Sequence, residues 1–410
     1  MAGVVGRETS LPKGSLLRLF PQGAVGRNNG LSMKTIPCVV LLGLWLVWAG
    51  SCNSTGNREP LGLPDYPVAG GVSAPFAGKV GNYMVVGGGC NFPDVPAADG
   101  GVKRFYRELY ALDTSCPDSG WLELPPLPQA LAYGAMAETD EGLVCVGGMS
   151  ADSAVTQAFL IERQPGLVGA AAFALRELPP LPEAIDNGAA ASADGVVYVT
   201  GGNQANGGRA LYALDLNTRV WTRLPDYPAP TRVQPVLLAA GGKLYLAGGF
   251  SYDPSTRTCT IPADMVPYDV AARQWGEPVP FPAKSDGGRY AISGGSGVAV
   301  GNCLLLTGGV DYKIFKEAME GRAPSDYLRK PVDWYRFNGE VLVYNRARGD
   351  WSVCPGGAGL SRAGGVLLHD DTCLMMVCGE LKPGIRSSKI GIFEWRDTDG
   401  HPVVVPVRNR

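Results

Sequence analysis

The chain has 410 residues, of which 45% are hydrophobic and 18% are charged, and its formal net charge at pH 7 is −2. This near-neutral balance gives no reason to expect nucleic acid or an anionic membrane surface as a partner, and the apolar content permits a large core. Its 57 glycines and 33 prolines are interleaved with apolar runs, which indicates many turns rather than disorder.

The N-terminal region is predicted to precede the folded domain. Residues 33–52 resemble a bacterial signal peptide: Met33-Lys34 precede an apolar run too short for an ordinary transmembrane helix, and Ala49-Gly50-Ser51-Cys52 follow. We therefore predict export to the periplasm, or to the outer membrane as a lipoprotein, with a lipid anchor at Cys52 as the only attachment to a membrane. Residues 1–32 are interpreted as a non-native upstream extension or a long positive region, 53–58 as a tether, and 59–410 as the domain.

Cysteine and histidine usage argues against a metal centre. None of the ten cysteines forms a Cys-x-x-Cys pair, so no zinc site is predicted. His369 and His401 are the only histidines, too few for a kelch-type copper enzyme or for a histidine-dependent hydrolase. The sequence therefore predicts no zinc or copper site.

Apolar runs that end in a glycine pair recur along the chain, and such recurrence indicates a repeat protein. After each pair and a loop comes a strand such as Leu211–Asp215, and then a tryptophan such as Trp221 in most of the units. These units resemble kelch repeats, so we predict an all-β, six-bladed kelch-type β-propeller. The pairs are Gly87-Gly88, Gly147-Gly148, Gly201-Gly202, Gly248-Gly249 and Gly308-Gly309.

The sixth run ends in Gly379-Glu380, which we interpret as the same pair with its second glycine replaced by an acid. A turn at Pro383-Gly384 and then Arg386 follow. Because the other five runs keep both glycines, the carboxylate of Glu380 is the place where we expect chemistry.

Closure of the ring is predicted from the two ends of the domain. Leu61–Pro67 matches Trp221–Pro228 in its Leu-Pro-Asp-Tyr-Pro segment, so an N-terminal strand is expected to complete the C-terminal blade. Closure removes the free sheet edge between the first and last blades. The alternative fourth strand is Val403–Val407.

Two long loops interrupt the repeats, between Cys90 and Arg107 and between Asp311 and Asn338. The second is expected to begin with a short helix, and its four aromatic residues are interpreted either as a lid over a sugar or as a packed loop. Because strands alternate in direction, both loops share a face with Glu380 and with the connections between blades.

The connections between blades supply the candidate binding residues. Arginines in three of them are expected to surround the axis together with Arg386, where they would bind an anion, most simply a carboxylate. The arginines are Arg232, Arg289 and Arg362, and the neighbouring candidates are Tyr133, Asn187 and Gln234.

The segment Gly379-Glu380-x-Lys382-Pro383-Gly384-x-Arg386 resembles the Gly-Glu-x-Lys-Pro-Gly-x-Arg motif of the N-acetylneuraminate epimerases, the sialic acid mutarotases. Thr231-Arg232-Val233-Gln234 resembles the Arg-x-Gln segment of the same family. The motif lies in the last blade here and mid-chain in the usual family order, so the chain resembles a cyclically permuted branch of these kelch proteins.

The resemblance implies an isomerase that interconverts the α and β anomers of N-acetylneuraminate without a cofactor, with Glu380 and Arg386 as the catalytic pair. A carboxylate is suited to moving the protons of ring opening, whereas arginine stays charged and is assigned to the substrate carboxylate or to oxyanion charge. Lys382 is interpreted as the second proton carrier, with Tyr133 or water as alternatives. The competing hypothesis is an exported kelch propeller that binds a glycan or a protein without catalysis.

Overall fold

A computed structural model describes residues 62–370, 373–398 and 401–407 of the chain. The predicted extension 1–32, signal peptide 33–52 and tether 53–58 lie outside these residues. Six antiparallel sheets, five with four strands and one with five, make up the bulk of the described chain, and one α-helix accompanies them. The prediction of an all-β, six-bladed propeller is confirmed.

Each sheet is one blade, and its four strands follow one another in chain order from the axis outward. Blade four has a further short strand, Val279–Pro280, beside its third strand. The strands of blades one to three are Phe76–Val80, Tyr83–Gly87, Leu109–Asp113 and Trp121–Leu124; Ala135–Thr139, Gly142–Val146, Ala158–Arg163 and Phe173–Leu178; and Ile185–Ala193, Val196–Gln204, Leu211–Asp215 and Val220–Leu224. Those of blades four to six are Val236–Ala240, Lys243–Ala247, Asp264–Asp269 and Gln274–Trp275; Tyr290–Val300, Cys303–Asp311, Glu340–Asn345 and Asp350–Pro355; and Val366–Asp370, Cys373–Val377, Gly391–Thr398 and His401–Pro406.

The hydrophobic core is divided into clusters that lie between neighbouring blades. Six such clusters join successive blades around the ring. The cluster between the last and first blades packs Met375 and Val377 against Met84 and Val86. Blades six and one are therefore neighbours, and burial of apolar surface holds the ring closed.

A closed circle of backbone hydrogen bonds, called the backbone belt below, runs around the propeller axis. One residue from each blade contributes, with φ between +53° and +66°, and its N–H donates to the carbonyl of its counterpart in the preceding blade over 2.7–3.1 Å. Four of the six residues carry a side chain, although this conformation favours glycine. In order around the ring they are Ala74, Tyr133, Asn187, Gln234, Gly294 and Gly364.

The predicted closure by an N-terminal strand is wrong, and the alternative is correct. His401–Pro406 pairs with the third strand of blade six along its whole length, from Thr398↔His401 to Phe393↔Pro406. A hairpin within one blade closes a much shorter loop than pairing with the distant N-terminus would, so it costs less chain entropy. The N-terminal segment 62–67 is not a strand.

The Leu-Pro-Asp-Tyr-Pro segment instead forms the connection into blade one. The indole of Trp121 donates to the Pro64 carbonyl, just as Trp221 donates to Pro179 and Trp275 to Pro225. The matching residues of the two segments thus mark the same place between blades.

The long loops follow the second strands of their blades, as predicted. In blade one, Cys90–Asn91 pairs with Arg104–Phe105 around the 3-10 turn Ala97–Asp99. In blade five, the helix Tyr312–Met319 begins after Asp311, whose carboxylate caps the Lys313 and Ile314 amides. The remaining short elements are the 3-10 turns Pro117–Ser119, Gly169–Ala172, Tyr327–Arg329 and Val332–Tyr335 and the paired strands Ser251–Asp253 and Thr258–Thr260.

Candidate active site

Glu380 follows a pair of left-handed residues that ends the second strand of blade six. Cys378 and Gly379 have φ of +55° and +99°, and the Gly379 amide donates to the Val72 carbonyl. Glycine pairs hold these two places in the other blades: Gly88-Gly89, Gly147-Gly148, Gly201-Gly202, Gly248-Gly249 and Gly308-Gly309. The interpretation of Glu380 as a replaced second glycine is therefore wrong by one residue, because Cys378 takes the first place of the pair.

The catalytic hairpin consists of Glu380–Lys382 and Ile385–Arg386, which pair antiparallel so that Glu380 and Arg386 face each other. Its turn needs Gly384, which has φ of +87° and lies so close to the blade-one loop that a Cβ there would stand 2.7 Å from the Cβ of Ala97. The Glu380 backbone also pairs with Ala363 in both directions. The sequence motif thus folds into a two-stranded hairpin that places the Glu380 carboxylate and the Arg386 guanidinium side by side.

One oxygen of the Glu380 carboxylate, Oε1, contacts both Arg386 and the Gly384 amide, and Oε2 takes no part in these two contacts. Arg386 Nη2 lies 3.0 Å from Oε1, and the Gly384 amide donates to the same oxygen over 3.0 Å. The Glu380 side chain is 21% exposed, whereas that of Arg386 is 4% exposed. These two contacts to Oε1 fix the orientation of the carboxylate.

Arg386 is a buried cation with unused donors. Its guanidinium lies 4.9 Å from the centre of the Phe92 ring, and within the described residues its Nε and Nη1 have no hydrogen-bond partner. Burial alone would lower the pKa of Arg386, but the nearby Glu380, Cys90 and Tyr133 together outweigh burial, and the pKa is raised. Unmatched buried donors are costly, so the site favours an anionic ligand that accepts from them.

The blade-five loop forms an aromatic wall beside Glu380. Tyr327 and Trp334 pack edge-on against Tyr335 with ring centres 5.3 and 5.1 Å away. Burial, followed by the Glu380 charge, raises the pKa of Tyr335 to about 12. The rings pack together, as the packed-loop interpretation predicts. They also lie close enough to Glu380 for its charge to affect the pKa of Tyr335.

Lys382 points to the same loop rather than into the Glu380–Arg386 pair. Its Nζ donates to the carbonyls of Leu328 and Lys330 over 3.2 and 2.5 Å and lies 5.8 Å from the centre of the Tyr335 ring. With two carbonyls as acceptors, the ammonium links the catalytic hairpin to the blade-five loop.

Tyr133 contributes a buried hydroxyl that interacts electrostatically with both members of the pair. Lys103 Nζ lies 3.1 Å from this oxygen and Cys90 Sγ lies 3.2 Å from it. Burial raises the pKa of Tyr133 well above its usual value, with Cys90 and Glu380 adding to the shift and Arg386 opposing it. The phenol therefore shares the electrostatic environment of both catalytic candidates.

Asn187 and Gln234 lie beside Tyr133 on the backbone belt and line a central cavity of about 500 Å³. The Gln234 amide donates to Asn187 Oδ1 over 3.0 Å, and Asn187 in turn donates to Asp186 over 2.6 Å. Burial raises the pKa of Asp186, whose carboxylate also accepts from Asn203. The predicted residues Tyr133, Asn187 and Gln234 are thus brought together by the belt.

Arg232 and Arg362 do occupy equivalent places, but both side chains turn into the protein. Arg232 Nη1 donates to Gly248 O over 2.9 Å and Nη2 lies 2.5 Å from Asp264 Oδ1, with the side chain 2% exposed. Arg362 Nη1 donates to Cys378 O and Lys389 O, and burial lowers its pKa. Each arginine thus donates to the carbonyl of the first left-handed residue of its own blade, Gly248 or Cys378. The prediction that these two side chains contact the substrate is therefore corrected: their role is structural.

Arg289 does not share their position. Ile292 accepts from the Gly249 amide in the place that Arg232 and Arg362 take in their blades. Arg289 is exposed, and its guanidinium lies 5.7 Å from the ring centre of Tyr312. The predicted circle of equivalent arginines is therefore wrong, and Arg386 is the arginine that meets Glu380.

Replacing Arg232 with methionine is expected to lower the free energy of unfolding by about 3 kcal/mol, because Asp264 and the Gly248 carbonyl lose their common donor. Urea denaturation measures this loss. The matched control is Arg223→Met in an exposed pair with Asp226, which should cost less than about 1 kcal/mol. An Arg232 variant that unfolds like the wild type but no longer binds ligand would contradict the structural role.

Phe92 and Lys103, which also surround the pair, were not predicted from the sequence, and Tyr335 was predicted only as one of the four aromatic residues of the blade-five loop. All three come from the two long loops, whose length was the available signal. The loops also meet each other, since Arg329 Nη2 lies 2.7 Å from Asp99 Oδ1.

Among the described residues, no group of three or more histidine, cysteine, aspartate and glutamate side chains is arranged to hold a metal ion. None of the helices in the same part of the chain is long and apolar enough to span a membrane.

Comparison with known proteins identifies relatives over the later blades. A family model described as N-acetylneuraminate epimerase matches residues 178–399, which include the catalytic hairpin. N-acetylneuraminate epimerase of Salmonella typhi is 29% identical over 233 residues, covering 53% of this chain and 58% of the relative. N-acetylneuraminate epimerase 1 of Escherichia coli O6:H1 is 28% identical over 230 residues, covering 51% and 58%. The chain thus spans a little over half the length of these relatives.

The fold also matches a solved structure. YjhT is similar with a TM-score of 0.58 at 17% identity, over 84% of this chain and 99% of that one. At this identity the likeness shows a common propeller fold.

Proposed function

This chain belongs to the N-acetylneuraminate epimerase family, and we propose that it interconverts the α and β anomers of N-acetylneuraminate by opening and reclosing the sugar ring. The observation that carries the proposal is the catalytic hairpin, in which a carboxylate and a buried arginine with unused donors lie 3.0 Å apart. Relatives described as N-acetylneuraminate epimerases support the same reaction class.

The substrate is both an acid and a cyclic hemiketal, and the two candidate residues match these two features. Arg386 can pair with the sugar carboxylate through the donors that no described residue accepts from, and a carboxylate is the anion that a guanidinium binds in bidentate fashion. Once the carboxylate is fixed there, the neighbouring anomeric centre lies beside Glu380.

Glu380 acts as the base in this proposal. Its Oε2 takes the proton of the anomeric hydroxyl while the bond to the ring oxygen breaks; the ring oxygen receives a proton from a second group, and the open-chain ketone forms. Rotation about the bond to the carbonyl carbon and reclosure on its other face give the second anomer, with the proton returned. Arg386, whose Nη2 lies 3.0 Å from Glu380 Oε1, keeps the carboxylate oriented for each step.

We also propose that the reaction takes place outside the cytoplasm, in the periplasm or at the outer membrane. The support for this is the pattern of residues 33–52 in the sequence.

The test is NMR of freshly released α-N-acetylneuraminate, at a pH where spontaneous mutarotation is slow. The protein is expected to shorten the approach to anomeric equilibrium, while glucose, which has no carboxylate for Arg386, equilibrates at the buffer rate. Binding of the sugar acid without acceleration would favour the non-catalytic kelch hypothesis, and equal acceleration of glucose would contradict the role of Arg386.

A further inference from the structure

We propose that the Tyr133 hydroxyl is the acid that protonates the ring oxygen as the sugar ring opens, and that the Lys103 ammonium stabilises the phenolate left behind. This inference rests on the proposed anomer interconversion and names its second proton carrier.

Tyr133 is held in place by its backbone as well as by its side chain. It has φ of +61°, its amide donates to Ala74, and its carbonyl accepts from Asn187 in the backbone belt. The residue is 9% exposed, and its hydroxyl interacts electrostatically with both Glu380 and Arg386. A phenol whose backbone and side chain are both held in this way keeps its hydroxyl in one place, which a general acid requires.

The direction of the phenolic proton follows from Lys103. An ammonium can donate but cannot accept, so across the 3.1 Å contact the Tyr133 oxygen must be the acceptor. The Tyr133 proton is therefore directed away from Lys103. The same ammonium, 3.1 Å from the oxygen, places a positive charge where the phenolate charge develops.

Lys382, the other candidate, is already engaged. Its Nζ donates to the carbonyls of Leu328 and Lys330, and transfer of a proton to the sugar would require it to leave these two acceptors. The catalytic hairpin thus supplies the base, and blade two supplies the acid.

The protons and electrons balance without another reactant. Glu380 takes the anomeric proton, the electron pair of the bond between the anomeric carbon and the ring oxygen moves to that oxygen, and the oxygen receives the Tyr133 proton. The products are a neutral Glu380, a Tyr133 phenolate beside Lys103 and the open-chain ketone. The departing oxygen is an alkoxide, which is more basic than a phenolate, so a weak acid such as tyrosine suffices. Reclosure reverses each transfer.

Replacement of Tyr133 with phenylalanine tests the assignment because it removes only the hydroxyl. We expect the enzymatic rate to fall by about 10²- to 10⁴-fold. The methyl glycoside of N-acetylneuraminate, in which the anomeric hydroxyl is blocked, should still bind within about threefold of the wild-type affinity. A structural role alone would weaken binding together with the rate.

The matched control is Tyr268→Phe, which removes another buried phenolic hydroxyl, one that has no hydrogen-bond partner among the described residues and lies between blades three and four. Its rate should equal that of the wild type. For the positioning residue, Lys103→Met should lower the rate by about tenfold and Lys103→Arg should restore part of it.

Two results overturn the assignment: a Tyr133→Phe protein with the wild-type rate, or one whose loss of rate is matched by an equal loss of glycoside affinity. If the wild-type protein does not accelerate mutarotation, the proposed function itself fails, and the acid role of Tyr133 fails with it. If the wild type is active and Tyr133→Phe is equally active, only the assignment of the acid is wrong.

Discussion

A Glu380→Gln protein is expected to fold normally and to lose most of the rate enhancement, by about 10²- to 10⁴-fold. Glutamine keeps an oxygen that can accept from Arg386 and from the Gly384 amide, so the catalytic hairpin keeps its geometry. What it cannot do is take a proton from the anomeric hydroxyl. The rate is measured by NMR on the released α-anomer, and circular dichroism with thermal unfolding checks the fold.

The matched control is Glu123→Gln, which changes an exposed glutamate on the fourth strand of blade one. This variant should keep the wild-type rate. A Glu380→Gln protein that also keeps it would show that Glu380 is not the base.

An Arg386→Met protein is expected to bind the sugar acid about 10- to 100-fold more weakly, since hydrogen bonds to a charged group contribute about 1.5–3 kcal/mol. Its turnover should also fall, because the Glu380 carboxylate loses the cation 3.0 Å from its Oε1 and becomes a less well oriented base. Calorimetry with the methyl glycoside reports the affinity, and NMR reports the rate. Arg386→Lys keeps the charge but not the bidentate geometry, so its affinity and its rate should lie between those of Arg386→Met and those of the wild type.

Arg289→Met serves as the control for charge, since Arg289 is exposed and lies over Tyr312. It should bind the glycoside as the wild type does. If Arg386→Met does so too, the sugar carboxylate is bound elsewhere, and the Arg289 result shows whether Arg289 is that place.

The repeat architecture could be predicted because particular residue types recur at equivalent positions of the blades. Left-handed glycine pairs such as Gly201-Gly202 recur in five of the six blades, and a tryptophan that donates to a neighbouring connection, as Trp221 does to Pro179, recurs in three. Closure was predicted wrongly because the Leu-Pro-Asp-Tyr-Pro match marks a connection between blades, and the expectation placed a strand there.

The backbone belt could not be predicted in the same way. Its bonds join main-chain groups of different blades, and its positions accept residues as different as Ala74, Tyr133 and Gly294. The belt nevertheless helps to determine the geometry of the site, because it places Tyr133, Asn187 and Gln234 around the axis. Such long-range backbone pairing depends on the finished ring and not on local preference.

The part of the candidate site that belongs to the sequence motif, Glu380 and Arg386, could be predicted. Glu380 and Arg386 face each other because the seven residues from Glu380 to Arg386 contain a glycine turn and form a hairpin, which spacing alone can indicate. Spacing does not indicate where a long side chain points, which is why Arg232 and Arg362 were assigned to substrate although each satisfies a backbone carbonyl.

The most direct test of the account is a crystal structure of the protein with N-acetylneuraminate bound. We predict the sugar carboxylate within about 3 Å of Arg386 nitrogens and the anomeric oxygen at hydrogen-bond distance from Glu380, with the Tyr133 hydroxyl facing the ring oxygen. A sugar bound with its carboxylate on Arg289, or one lying in the central cavity away from Glu380, would contradict it.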